Sequence, residues 1–161
     1  MLHSRLSRDG AREHGSSSST RPTADARACC PVVATDQDVW STITDVANVD
    51  NTDVLVDIGC GDGQFIAHAA RFCKCQCIGL DVRESCLQRT KKMADRNGVR
   101  HLVDVIEQDF TDLVGLQRVV DRATVLYAFL LPHVIREIEP VLLRAVENGK
   151  RVVLFCSTGG R

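Results

Sequence analysis

Residues 53 to 63 read Asp53-Val54-Leu55-Val56-Asp57-Ile58-Gly59-Cys60-Gly61-Asp62-Gly63, a short apolar run that stops in three alternating glycines. An uninterrupted apolar run of this length is the pattern of a strand buried on both faces of a parallel sheet. Glycines directly after it supply a tight turn that lets backbone pass close to another group. Phe65, Ile66, Ala69, Ala70 and Cys73 then fall on one helical stripe. Strand, glycine turn and helix together make the first βα step of a doubly wound α/β sheet, in which ligands sit beyond the carboxyl ends of the strands at the switch point of strand order.

The flanking sequence repeats the alternation. Asp36 is placed to cap a helix carrying Val39, Trp40, Ile43, Val46 and Ala47. A second strand spans Gln76 to Leu80 and stops at Asp81. The next helix carries Cys86, Leu87, Thr90, Met93 and Ala94 and ends at Asn97-Gly98. A third strand lies near Val103–Ile106, followed by Asp109-Phe110 and a short helix with Leu113, Leu116, Val119 and Val120. Ala123–Phe129 reads as strand four, closed by Pro132. Pro140 suits the first turn of a helix bearing Val141, Leu142, Ala145 and Val146, and Arg151–Cys156 reads as strand five. The expectation is a Rossmann-like, mostly parallel sheet of about five strands.

Composition narrows the function. A net charge of −1, from 20 basic and 21 acidic residues, gives no global field toward nucleic acid or an anionic membrane, and no nucleic-acid partner is expected. No apolar run reaches membrane-spanning length. The eight cysteines follow no secretory segment and read as reduced packing residues. Cys73, Cys75 and Cys77 alternate without the second pair that structural zinc sites use, so no metal is expected. Residues 1–30, with a serine run and Arg5, Arg8, Arg12, Arg21 and Arg27, read as a disordered tail. Their arginine and serine content is compatible with a mitochondrial transit peptide, whereas Asp9, Glu13 and Asp25 fit a plain solvated tail. Residues 31–161 are then one domain in an intracellular protein, mitochondrial or cytoplasmic.

The glycine spacing discriminates between ligands. Gly59, Gly61 and Gly63 make G-x-G-x-G, whereas the dinucleotide fingerprint needs its third glycine one residue later, where Gln64 stands. No Walker-type Gly-Lys-Ser/Thr follows. Asp57 and Asp62 flank the turn, and carboxylates beside close-approaching backbone suit a cationic ligand better than a phosphate. S-adenosylmethionine, with its sulfonium and ammonium groups, meets that requirement. Asp81, twenty-four residues after Asp57, is spaced to accept from ribose hydroxyls, with Val82 beside it. Asp109 and Phe110 would offer a carboxylate and an aromatic face to adenine.

Val56-Asp57-Ile58-Gly59-Cys60-Gly61-Asp62-Gly63, Gly79-Leu80-Asp81 and Gln108-Asp109-Phe110 resemble the motifs of class I S-adenosylmethionine-dependent methyltransferases over about residues 31–158. Pro31-Val32-Val33-Ala34-Thr35 and Phe129-Leu130-Leu131-Pro132 further resemble the small protein-lysine methyltransferases related to those acting on the ATP synthase c-subunit and the adenine nucleotide translocase. The resemblance implies a cofactor site at Asp57, Gly59, Cys60, Gly61, Asp62, Gly63, Asp81, Val82, Asp109 and Phe110. It also implies an acceptor pocket near Thr35, Phe129, Leu130 and Pro132 and a protein substrate with a target lysine, a membrane protein included. Phe129 stands where that family usually has tyrosine, with Tyr127 on the same strand face as its replacement. His133 is the one candidate base near this loop. The family's sheet normally closes with an antiparallel hairpin after strand five, and strand five here lies next to the last residues of the sequence. A cofactor-binding domain with little turnover, or a methyltransferase for a small molecule, is the alternative.

Overall fold

The computed structural model describes residues 37–156, with side chains from residue 39 onward. The cap at Asp36, the Pro31–Thr35 stretch, Cys29, Cys30 and the tail lie outside the described residues. The elements are α1 (Gln37–Val46), β1 (Val54–Ile58), α2 (Gln64–Phe72), β2 (Gln76–Asp81), α3 (Glu84–Arg96), a short 3-10 turn (Arg100–Leu102), β3 (Val103–Glu107), α4 (Leu113–Val120), β4 (Val125–Leu130), α5 (Pro132–Glu147) and β5 (Arg151–Cys156). The strands form one sheet in the order β3-β2-β1-β4-β5, every neighbouring pair parallel.

That order follows from the connections. Right-handed crossovers carry the chain from β1 through β2 to the β3 edge with α2 and α3 on one face. The chain then returns through α4 to pair β4 against the free side of β1, which puts α4 and α5 on the opposite face. The strands are covered on both faces and split their side chains by alternation. Leu55, Cys77, Val103, Val125 and Tyr127 pack with α1, α2 and α3, including Trp40, Phe65, Ala69 and Ala94. Val56, Ile58, Ile78, Leu80, Leu126 and Leu130 pack with α4 and α5, including Leu116, Val120, Ile138 and Ala145. Strand order reverses between β1 and β4, so the switch point lies at the glycine turn, as the sequence pattern places it.

The last helix departs from the sequence reading. It starts at Pro132, not Pro140, with Leu131 as an extended N-cap and Pro140 inside it. Either proline satisfies the preference for the first turn. Ile138, fully buried ahead of Pro140, holds the earlier turns on the sheet. Pro140 leaves the Arg136 carbonyl without its helical donor, but both residues are exposed, so water reaches the gap. Val146, expected on the buried stripe, is exposed, as is Val46 on α1. The cysteines divide as well. Cys60, Cys75, Cys77 and Cys86 are buried, the Cys75 and Cys77 sulfurs lying 3.5 Å apart, whereas Cys73 is half-buried at the α2 C-cap and Cys156 is exposed. Among the described cysteines the first four are buried packing residues, Cys73 packs at the edge of the core, and Cys156 departs from the expectation.

Candidate functional site

The carboxyl ends of β1, β2 and β3 converge on the turn at residues 59–63. Gly59 and Cys60 both donate their N–H to the Leu80 carbonyl at 2.8 Å, which ties the turn across to β2. Gly63 donates to the Cys60 carbonyl at 2.9 Å and then opens α2. Two of the glycines sit at positive φ with a neighbour where a Cβ would fall. Gly59 has φ +87° and a Cβ there would fall 2.7 Å from Leu130 Cδ2. Gly63 has φ +80° and a Cβ there would fall 2.6 Å from Thr90 Cα on α3. The first obstacle is the tip of a flexible side chain, but the second is backbone, so α3 presses on the turn at a point that only glycine fits.

Cys60 turns its side chain inward. Its sulfur lies 3.5 Å from Thr90 Oγ1 and fills the space above Gly79, where a Cβ would come within 2.9 Å of it. Burial pushes its thiol well above the usual range, so Cys60 offers a ligand backbone and not a thiolate. Asp62 accepts from Gln64 Nε2 at 2.7 Å and from Gln64 N at 3.4 Å, bracing the first residue of α2.

Asp81 is the hub of the site. It is buried, and its Oδ2 accepts from Gly61 N at 3.2 Å while Oδ1 accepts from Arg83 N at 2.9 Å and Arg83 Nε at 3.2 Å. One carboxylate thus joins the glycine turn to the start of α3. Asp57, paired in register with Gly79 and Tyr127, is also buried. Burial first, and the nearby Asp81 second, push its carboxyl up to about 8. Desolvation penalises the charged form of this carboxyl, and a cation placed beside it would favour that form.

Val82 is half-buried beside Asp81. Asp109 accepts from Thr111 N at 2.9 Å and Thr111 Oγ1 at 2.7 Å, so its carboxylate shapes the turn after β3. The β3 end is tied to β2 by Gln108 N donating to the Asp81 carbonyl at 3.1 Å. Phe110 is half-buried against the α4 and α5 side. The acceptor candidates separate. Thr35 lies outside the described residues, Phe129 is half-buried on the α1 side, Leu130 is buried on the opposite face beneath Gly59, and Pro132 is exposed at the head of α5. His133, next to it, is exposed too.

Sequence reasoning missed Phe155. It pairs in register with Phe129, their ring centroids 6.3 Å apart and edge-on, and Tyr127 lies 6.1 Å behind it. Tyr127 itself packs on Phe65 at 4.1 Å. Matching the two strands from their parallel register would have found Phe155. Among the described residues no group of three or more His, Cys, Asp or Glu is arranged to hold a metal ion.

A family model described as the ANTKMT methyltransferase domain matches residues 57–156, from the first site aspartate to the end of β5. The chain belongs to this family. The fold is that of a class I S-adenosylmethionine-dependent methyltransferase, and S-adenosylmethionine is the cofactor. A protein-lysine N-methyltransferase of Saccharolobus islandicus (strain REY15A) is 28% identical over 124 residues, which is 76% of this chain and 74% of the relative. The crystal structure of an RNA methyltransferase from Salinibacter ruber in complex with S-adenosyl-L-homocysteine is 31% identical, with a TM-score of 0.64 over 70% of this chain and 71% of that chain. A methyltransferase from Geobacter sulfurreducens, also with S-adenosyl-L-homocysteine, is 17% identical with a TM-score of 0.63 over 82% of this chain and 52% of that chain, and shows the fold alone. The cradle of this ANTKMT-domain chain fits the cofactor on its own terms. It has a turn that packs too close to α3 for a Cβ at Gly63, and two buried carboxylates at Asp57 and Asp81.

Proposed function

We propose that this chain is a protein-lysine N-methyltransferase. The observation that carries the reading is the pairing of a carboxylate-lined glycine turn with an apolar aromatic wall at the same end of the sheet, supported by the likeness to a named protein-lysine N-methyltransferase. The cofactor supplies an electrophilic methyl group on a sulfonium. Asp57, Gly59, Cys60, Gly61, Asp62, Gly63, Asp81, Val82, Asp109 and Phe110 form its cradle, Asp57 facing the positive end, Asp81 the ribose, and Asp109 with Phe110 the adenine.

The chain's own work is alignment and exclusion of water. Phe129 and Phe155 wall the acceptor side, with Tyr127 behind them. An amine brought against these rings leaves water, which penalises its charged form and favours the neutral nucleophile. Neither Phe129 nor Phe155 can donate a hydrogen bond, so orientation of the amine falls to the substrate backbone and the wall's shape. The tail at residues 1–30 acts as a mitochondrial address and residues 31–161 as the enzyme domain. Among the described residues no helix is long and apolar enough to cross a membrane.

The test is transfer of labelled methyl from S-adenosylmethionine to proteins of mitochondrial and cytosolic extracts, followed by acid hydrolysis. Label in Nε-methyllysine supports the reading, and label confined to nucleic acid or small molecules overturns it. Fusion of residues 1–30 to a fluorescent protein tests the address, for which import is the expected result and a cytosolic signal the contrary one.

A further inference from the structure

A pocket of about 490 Å³ runs from the first turn of α2, beside the glycine turn, along the outer crest of that helix between α1 and α3. Trp40, His68, Arg71, Phe72, Met93 and Asn97 line it, with Gln64 at the end nearest the glycine turn. Its rings form a ladder. Trp40 and His68 have centroids 5.5 Å apart, His68 and Phe72 4.6 Å, and the Arg71 guanidinium sits 5.5 Å from the Phe72 ring centre. Phe72 is 65% exposed, a large apolar ring left in water.

The formal charge in the pocket lining is of one sign. Trp40 is 6% exposed, and its indole N–H is buried with no hydrogen-bond partner among the described residues. A buried donor left unpaired costs free energy that an acceptor recovers. Among the described residues the lining holds one cation, Arg71, with the amides of Gln64 and Asn97, each already donating to the protein, and no carboxylate. Two carboxylates stand two residues from the lining, Asp62, which is engaged with Gln64, and Asp95, which is exposed on α3. Gln64 and Arg71 stand seven residues apart on α2, about 10 Å along the helix axis, so the electropositive end is the Arg71 end. Exposed Arg89, Lys92 and Arg96 on α3 extend that sign beside Met93 and Asn97.

We infer that this pocket docks an acidic segment of the protein substrate, an apolar or aromatic side chain lying against Trp40 and Phe72 and a carboxylate meeting Arg71. The inference rests on the protein-substrate reading. A single lining cation and a chain of net charge −1 suit one or two carboxylates better than a polyanion. Bound this way, the substrate is held on the α1–α3 side of the sheet, the same side as Phe129 and Phe155.

Trp40 is the chain's one tryptophan, so its fluorescence reports this pocket directly. The experiment titrates the full chain with a synthetic Gly-Glu-Phe-Glu-Gly peptide, its all-glutamine counterpart and a single-stranded RNA oligonucleotide, with S-adenosyl-L-homocysteine calorimetry alongside. The expected result is a saturable change with the acidic peptide. Its affinity falls about tenfold or more for the glutamine peptide and for Arg71→Ala, a charge-assisted contact being the one removed. Cofactor-product binding stays unchanged in Arg71→Ala. No saturable change, equal binding of the glutamine peptide, unaltered binding by Arg71→Ala, or tighter binding of the oligonucleotide each overturns the inference. Peptide failure with intact S-adenosyl-L-homocysteine binding sinks the docking site alone, whereas loss of both sinks the methyltransferase site.

Discussion

Two buried aspartates flank β1, Asp53 just before it and Asp57 inside it, and they sit at opposite ends of the sheet in opposite chemical states. Asp53 is saturated. Its carboxylate receives the Arg151 guanidinium, the Thr124 hydroxyl at 2.6 Å and Asp50 N at 2.9 Å. Arg151 goes on to donate to the Ala47 carbonyl at 2.8 Å, so this cluster clamps the amino ends of β1, β4 and β5 together. Asp57 is as buried but, among the described residues, no ion pair reaches it, and its carboxyl is pushed up to about 8. The structural carboxylate comes with its cation built in, whereas the carboxylate proposed to face the cofactor has none among the described residues. Asp81 is intermediate, bonded to the turn but with its second neighbour Arg83 at the surface side.

The contrast can be broken from either end. The largest expected effect is at the clamp. Asp53→Ala leaves the Arg151 guanidinium and Thr124 hydroxyl without their shared acceptor and should lower folding stability by about 2–3 kcal/mol, breaking a buried pair being costly but Arg151 being partly solvated. Denaturant unfolding measures this, and the fraction that folds should bind S-adenosyl-L-homocysteine normally. Next comes Asp81→Ala, which should weaken cofactor binding by about 1–3 kcal/mol through loss of hydroxyl acceptors and of the tie to Gly61. Unchanged affinity in the folded variant would make Asp81 a turn residue only.

Asp57 offers a test of sign. A carboxyl whose folded pKa lies above its unfolded value contributes stability that is fully present below the unfolded pKa near 3.8 and is lost as pH rises through about 8. The cofactor-free protein should therefore lose melting temperature between about pH 4 and pH 8 on account of this group. Asp57→Asn should flatten that loss, be more stable than the parent at pH 8 by the order of a few kcal/mol, and bind cofactor more weakly. A parent curve that rises over this interval, unaltered in Asp57→Asn, would remove Asp57 from the account. The smallest effect belongs to the acceptor wall. Phe155→Ala should raise KM for the protein substrate about three- to tenfold, in keeping with the loss of about 1 kcal/mol of aromatic contact. Cofactor affinity should stay put, and a change in cofactor affinity alone would place Phe155 elsewhere.

What was legible in the sequence follows the same division. The cofactor end announces itself because each of its parts is local. Val54–Ile58 reads as an apolar run since both faces of β1 are covered, Gly59 to Gly63 carry the turn, and Asp81 and Asp109 mark the strand ends. The acceptor end depends on contacts between distant segments. Phe155 meets Phe129 only through the β4–β5 register, and Leu130, adjacent to Phe129 in sequence, turns to the other face beneath Gly59. The start of α5 was ambiguous because Pro132 and Pro140 satisfy the same local preference, and the burial of Ile138 decided between them. The pocket around Trp40 was invisible since its apolar stripe is the ordinary signature of a packed helix.

The most direct test of the central claim, that the glycine turn with Asp57 and Asp81 holds S-adenosylmethionine, is calorimetry with S-adenosyl-L-homocysteine and NADH at pH 7 in buffers of different ionisation enthalpy. The account gives one S-adenosyl-L-homocysteine site, no NADH binding, and net proton release on binding, because burial pushes the Asp57 carboxyl up to about 8 and the ligand's ammonium favours its charged form. That release disappears in Asp57→Asn. Binding of NADH without binding of S-adenosyl-L-homocysteine would contradict the claim.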